Sequence, residues 1–212
     1  MNSSIMQIAP EAIEAESFRI IAKELGPTDF DSRTFKVVQR VIHATGDFSF
    51  AESLIFHPKA IDAGIAAIRG GRNILTDVNM GAAGVSKGLL ASWGGSVICK
   101  VADPEVGRIA KERGLTRSEV AIERGLQENA GIVSVGNAPT ALLKVMDCWN
   151  GLATELRPGL VVGAPVGFVN AAESKELLSE KGYPFITCRG RKGGTPVAVA
   201  IVNALIRLAK EA

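Results

Sequence analysis

From residue 70 onward, short apolar runs alternate with helix-starting signals, and this alternation constrains the fold more than any other feature of the chain. The runs cover residues 74–78, 96–101, 132–135, 160–162 and 185–188. They are rich in β-branched residues and bounded by Gly, Asn or Asp, as strands buried on both faces of a parallel sheet should be. Between them, Asp103-Pro104-Glu105 places an N-cap, a proline at the first helical position and an acid on the positive dipole end. Thr116-Arg-Ser-Glu119 and Asn170-Ala-Ala-Glu173 read as capping boxes, and Thr195-Pro196 opens a last helix. Such alternation requires βαβ crossovers, so the expected class is α/β: a mostly parallel five-stranded sheet with helices on both faces.

The first 70 residues read as helices instead. One spans 10–25 and stops at Gly26-Pro27, a second spans 32–45 and ends at Gly46, and a third runs from 58 to about 69. This makes an N-terminal helical segment ahead of the sheet. No internal repeat or linker divides the chain, so residues 1–212 are expected to form a single domain. A chain of this length buries about 70% of its unfolded surface and needs neither disulfide nor metal to hold a core.

Composition removes several function classes. A net charge of +2 and 5% aromatics give no basic patch or stacking platform for nucleic acid. Cys99, Cys148 and Cys188 form no C-x-x-C pair, and with only His43 and His57 beside them no structural zinc set is expected. Free thiols fit a reducing compartment. Glu11, Glu14 and Glu16 precede the first basic residue, Arg19, which is unlike a secretory signal. The longest uncharged stretches, 129–143 and 158–172, are broken by Gly and Pro and fall short of a membrane span. A cytoplasmic protein with no membrane partner is the expectation.

Every strand is followed by a turn of small or polar residues, among them Asp77-Val-Asn-Met-Gly81, Gly136-Asn-Ala-Pro-Thr140, Gly163-Ala-Pro-Val-Gly167 and Gly190-Arg-Lys-Gly-Gly194. In a parallel sheet these turns gather at the carboxyl ends of the strands, where ligands bind. Gly190–Thr195 is the most informative. Its glycines admit an anion to the backbone, a helix begins behind it, and Arg191 and Lys192 add full charges. The same segment also reads as a solvated basic turn. No Walker spacing is present, and no G-x-G-x-x-G follows a strand.

His43 is the acid–base candidate. Ser32, Lys36, Arg40 and His43 share one stripe of the second helix, opposite Phe35, Val38 and Ile42. An imidazole there could donate a proton near neutral pH, or simply satisfy the last carbonyls of the helix. Ser17 lies among Ile13, Ile20 and Ile21 on the first helix, and a back-bonded hydroxyl is the ordinary reading. His57 reads as a turn residue. Trp93, Trp149 and the cysteines read as packing. No paired acids, G-x-S-x-G elbow or nucleophilic cysteine suggests hydrolase chemistry.

Seven segments in order carry a resemblance: Arg40-Val-Ile-His-Ala-Thr-Gly-Asp47, Thr76-Asp-Val-Asn-Met80, Glu128-Asn-Ala-Gly-Ile132, Val135-Gly-Asn-Ala-Pro-Thr140, Pro165-Val-Gly-Phe-Val169, Glu173-Ser-Lys175 and Gly190-Arg-Lys-Gly-Gly194. From about Ile8 to the C-terminal helix the chain resembles the precorrin-8X methylmutase family of cobalamin biosynthesis, including its cobalt-precorrin-8 counterparts. One departure is Gly81-Ala-Ala-Gly-Val85, where the family more often carries a bulkier residue after the methionine. The resemblance implies an isomerase that moves a methyl group from carbon 11 to carbon 12 of a corrinoid macrocycle, without cofactor or protein-bound metal. It implies a homodimer, His43 as the catalytic histidine, and Ser17 and Arg40 as substrate contacts. Thr45, Asp77, Asn137, Thr140, Arg191 and Lys192 complete the expected substrate-binding set, suited to the acetate and propionate rim of such a pigment. Two rival readings are a non-catalytic corrinoid carrier and a phosphate- or nucleotide-binding enzyme built on the Gly190–Thr195 loop.

Overall fold

The computed structural model describes residues 7–211. A 3₁₀ turn, Pro10–Ala12, leads into α1 (Ile13–Leu25) and then α2 (Ser32–Thr45). Next come α3 (Phe50–Ser53), β1 (Leu54–Phe56), α4 (Ala60–Arg69), β2 (Asn73–Thr76), α5 (Asn79–Gly84), α6 (Lys87–Ala91) and β3 (Val97–Ile98). The second half runs α7 (Pro104–Arg113), α8 (Arg117–Gly125), β4 (Ala130–Val135), α9 (Pro139–Cys148), β5 (Leu160–Gly163), α10 (Ala171–Ser179), β6 (Phe185–Cys188) and α11 (Thr195–Glu211).

The sheet has six strands in the order β1-β6-β5-β4-β2-β3 and is mixed, where five mostly parallel strands were expected. The five anticipated runs are all present and mutually parallel. The additional strand is β1, antiparallel to β6 with Leu54 opposite Cys188 and Phe56 opposite Ile186. Three residues are too short to show a period, which is why Leu54-Ile55-Phe56 reads as part of a helical segment. The run 96–101 shrinks to Val97–Ile98 because β3 is an edge strand paired only with β2.

Alternation along the strands divides two cores. Ile74, Ile132, Leu160, Val162 and Ile186 face a layer that contains Val38 and Ile42 of α2, Ile68 of α4 and Ile201 and Leu205 of α11. Leu75, Val133, Val135, Val161 and Phe185 face Ile122 of α8, Leu142 of α9 and Leu178 of α10. Period-2 side chains thus commit each strand to both faces, and a one-residue slip would exchange the two sets.

The expected caps mostly form. Asp103 accepts from the Glu105 N–H at 2.9 Å, and Thr116 and Glu119 make a reciprocal capping box. Asn170 does not cap: at φ +59° it is left-handed, and its side chain accepts no hydrogen bond from the start of α10. Gly46, at φ +65°, closes α2 with its N–H on the Ile42 carbonyl at 2.7 Å, which fixes the helix end just beyond His43.

Candidate functional site

Among the described residues His43 stands at the exposed last turn of α2, and the neighbouring helix α1 brings Ser17 to it. Gln39 is buried and donates to the Phe18 carbonyl at 2.8 Å, pinning α1 against α2 at this level. The Phe18 ring meets the His43 imidazole edge-to-face at 5.2 Å. Ser17, Ile20, Ile21, Ile42, His43, Gly46 and Phe48 line an open cleft of about 220 Å³, apolar except for the imidazole, the hydroxyl and Glu24 at its margin. The Ser17 hydroxyl donates to the Ile13 carbonyl at 2.9 Å, the back-bonded arrangement expected. Its two acceptor lone pairs are not consumed by that bond.

Arg40 also meets Phe18, its guanidinium 4.9 Å from the ring centre. It pairs with Glu14 at 3.1 and 3.2 Å, and this bond holds the Glu14 carboxyl below the usual carboxylate range. Lys36 likewise pairs with Glu211 of α11. The basic stripe of α2 therefore faces the carboxylates of adjacent helices, and two of its cations serve helix packing. Arg40 does not reach the His43 cleft directly; Phe18 is the side chain in contact with both.

The β6–α11 loop arrives at the same place from the far end of the sequence. Lys192 Nζ donates to Asp47 Oδ2 at 2.7 Å and to Ser49 Oγ at 3.0 Å, immediately after the Gly46 that closes the cleft. The Lys192 bond, together with those that the Ser49 side chain and N–H donate to Asp47, lowers the Asp47 pKa to about 2. Thr45 Oγ1 donates to the Val41 carbonyl and accepts from the Asp47 N–H, so it shapes this turn from within. Arg191 has no carboxylate partner among the described residues; its guanidinium lies 5.4 Å over the Phe168 ring. Phe168 is 83% and Val169 78% exposed, an apolar ledge on the turn after β5.

The remaining candidates occupy a different part of the sheet edge. Asp77, 1% exposed, accepts from the Gly136, Asn137 and Ala138 N–H groups at 3.1, 2.9 and 2.8 Å. Burial pushes its pKa up, while the three donors pull the other way. Its carboxylate is committed to the turn between β4 and α9, and is not presented to a ligand. Thr140 Oγ1 lies 3.2 Å from Thr116 Oγ1 at the cap of α8, and Asn137 is exposed. Gly81, the family departure, is closely covered: a Cβ there would stand 3.3 Å from Thr76 Cβ.

Sequence reasoning passed over Phe18, Asp47, Ser49 and Phe168. The visible signal for Phe168 was an aromatic between glycine and valine in a turn, where burial is not available. Asp47 gave none, because its partner lies 145 residues away. Among the described residues no group of three or more His, Cys, Asp or Glu side chains is placed to hold a metal. No helix among them is long and apolar enough to cross a membrane.

A family model described as precorrin-8X methylmutase matches residues 12–208. The cobalt-precorrin-8 methylmutase of Priestia megaterium is 44% identical over 205 residues, covering 96% of this chain and 90% of its own. The precorrin-8X methylmutase of Pseudomonas aeruginosa is 41% identical over 198 residues, covering 92% and 94%. A crystal structure of the precorrin-8X methylmutase of Thermus thermophilus superposes with a TM-score of 0.84 at 42% identity, covering 94% of this chain and 98% of that one.

Proposed function

The chain belongs to the precorrin-8X methylmutase family, and on that premise we propose that His43 is the proton donor of a methyl shift within a corrinoid macrocycle. The protein is an isomerase of cobalamin biosynthesis, moving the methyl from carbon 11 to carbon 12. Such a rearrangement leaves the oxidation state unchanged and takes no second substrate. It needs a proton placed on the conjugated ring to redistribute its electrons, and a rigid surface to orient it. The observation that carries this reading is an exposed imidazole and a hydroxyl in one apolar cleft, with a basic loop at its rim.

His43 gives its proton to the macrocycle edge and recovers it once the methyl has moved. Ser17 lends an acceptor beside it. Arg191 takes a rim carboxylate, and the Phe168–Val169 ledge lies against the apolar ring face. Lys192 is bonded to Asp47 and Ser49, so its part in this reading is to bind the loop to the His43 helix more than to meet substrate. Asp77 and Thr140 support the edge from within.

A cleft of about 220 Å³ is smaller than the roughly 300–1,000 Å³ that encloses a drug-sized ligand. The macrocycle therefore lies across the cleft and the ledge, and a second copy of the chain is the proposed cover. The exposed Phe168 and Val169 support a homodimer, and Phe168→Asp should lower the sedimentation mass to that of one chain. The three free thiols support the cytoplasmic setting.

The test is to incubate the protein with metal-free precorrin-8X and with cobalt-precorrin-8 and follow the visible spectrum. Conversion of one pigment by the wild type, and binding without conversion by His43→Asn, is the expected result. Binding without conversion by the wild type would make it a carrier. Relatives named for each pigment are similarly close, at 44% and 41% identity, so both are assayed.

A further inference from the structure

Lys175 is a buried charged side chain to which the proposed reaction gives no part. It projects from α10 and is 1% exposed. No carboxylate acts on its ammonium; the titratable group beside it is the Cys188 thiol, with Sγ 3.6 Å from Nζ. A buried ammonium without a counter-charge costs stability, and an apolar residue of similar volume would serve packing at least as well. Its shortest polar contact is with the Lys192 main-chain carbonyl, at 2.5 Å. Cys188 donates to the same oxygen at 3.3 Å.

That carbonyl belongs to the loop that reaches the His43 helix. The backbone around it is drawn tightly onto the end of β5. The Gly194 N–H donates to the Ala164 carbonyl at 2.7 Å, and the Gly167 N–H to the Arg191 carbonyl at 3.3 Å. Gly193 sits at φ +155°, where a Cβ would come within 2.4 Å of the Ala164 oxygen. From there the Lys192 side chain extends to Asp47 and Ser49. One path of contacts thus runs from buried Lys175, through the Lys192 carbonyl and side chain, to the turn that ends the His43 helix.

We propose that Lys175 is a positioning residue for the methyl shift: by donating to the Lys192 carbonyl it fixes the 190–194 loop, so that Lys192 holds the His43 helix end and Arg191 faces the substrate rim. It acts through Lys192 and touches no substrate. The proposal rests on the functional reading above, and the first measurement is made without substrate so that the two can fail separately.

Lys175→Met removes the donor while filling the volume. Amide hydrogen exchange in this variant should speed up at Gly167 and Gly194 by about tenfold or more, with the strand amides of β4 and β5 unchanged. In turnover assays its KM for the corrinoid should rise by about tenfold, with kcat within about threefold of wild type. The Lys175→Met, Lys192→Met double variant should be no worse than Lys175→Met alone, because a released loop no longer delivers Lys192. Lys175→Gln, which keeps an N–H donor, should recover part of both effects, and it serves as the test if the methionine variant does not fold. Unchanged exchange at Gly167 and Gly194, or a loss of kcat in proportion to lost stability with KM unmoved, would overturn the proposal. A wild-type protein that converts neither pigment would remove the functional reading and leave the exchange result to decide what Lys175 holds.

Discussion

The turns after β2 and β4 and those after β5 and β6 lie along the same sheet edge and have similar compositions, yet they differ in where their polar groups go. In the first pair the Asp77 carboxylate accepts three backbone N–H groups and Thr140 meets Thr116. In the second pair the main chain is held from within, but the side chains of Arg191, Phe168 and Val169 face outward, and that of Lys192 crosses to Asp47 in the turn after α2. One half of the edge uses its polar residues to hold itself together; the other leaves them for a ligand. Gly, Asp, Asn and Thr are what both tasks require, so residue type alone does not separate them.

The comparison is broken most directly by measuring stability and turnover in parallel. His43→Asn should lose about 10²–10⁴-fold in turnover with its Tm unchanged, since the imidazole is exposed. Asp77→Ala should do the reverse. It strands three N–H donors and should cost about 3 kcal/mol, a Tm loss of roughly 6–12 °C for a chain of this size. If Asp77→Ala keeps its Tm and loses substrate affinity, the closed half is a binding surface after all. Arg191→Ala should raise KM by about three- to tenfold, more at low ionic strength, with Tm unmoved. An affinity independent of salt would place Arg191 outside the substrate rim.

The smallest effect is that of pH on the latch. The Lys192 and Ser49 hydrogen bonds lower the Asp47 carboxyl from the ordinary 3.8 to about 2. A depressed acid contributes stability above its unfolded value, and that contribution is lost as pH falls through the folded one. The latch should therefore be complete above about pH 4 and open only toward pH 2, leaving any activity profile between about pH 5 and 9 to other groups. A carboxyl titration by NMR that gave Asp47 an ordinary value would mean that Lys192 is free for substrate.

The parallel strands were legible because burial on both faces writes itself into continuous β-branched runs. β1 was not, since a three-residue edge strand owes its existence to β6, 130 residues later. Asn170 has the residue type of a cap but adopts a left-handed conformation, and its side chain makes no capping hydrogen bond to the helix it precedes. At the site, His43 and Ser17 were legible and do come together. The cationic stripe was legible as charge, but its partners Glu14 and Glu211 are supplied by other helices. Lys175 showed as a motif residue with no role, because what it holds is a carbonyl, which every residue has.

The short antiparallel strand also sets a schedule. β1 follows closely behind the His43 helix, and its only partner is β6; the Lys192–Asp47 bond likewise joins positions 145 residues apart. At about 5–20 residues per second of synthesis, a ribosome that has made Asp47 needs roughly 7–30 s to make Lys192. During that interval the helix carrying His43 exists without α11, which packs directly on it. The residues of the cleft are thus made first and the Lys192 latch and α11 last, so a nascent or truncated chain lacking β6 and α11 would carry the histidine without the basic loop and the helix that pack against it.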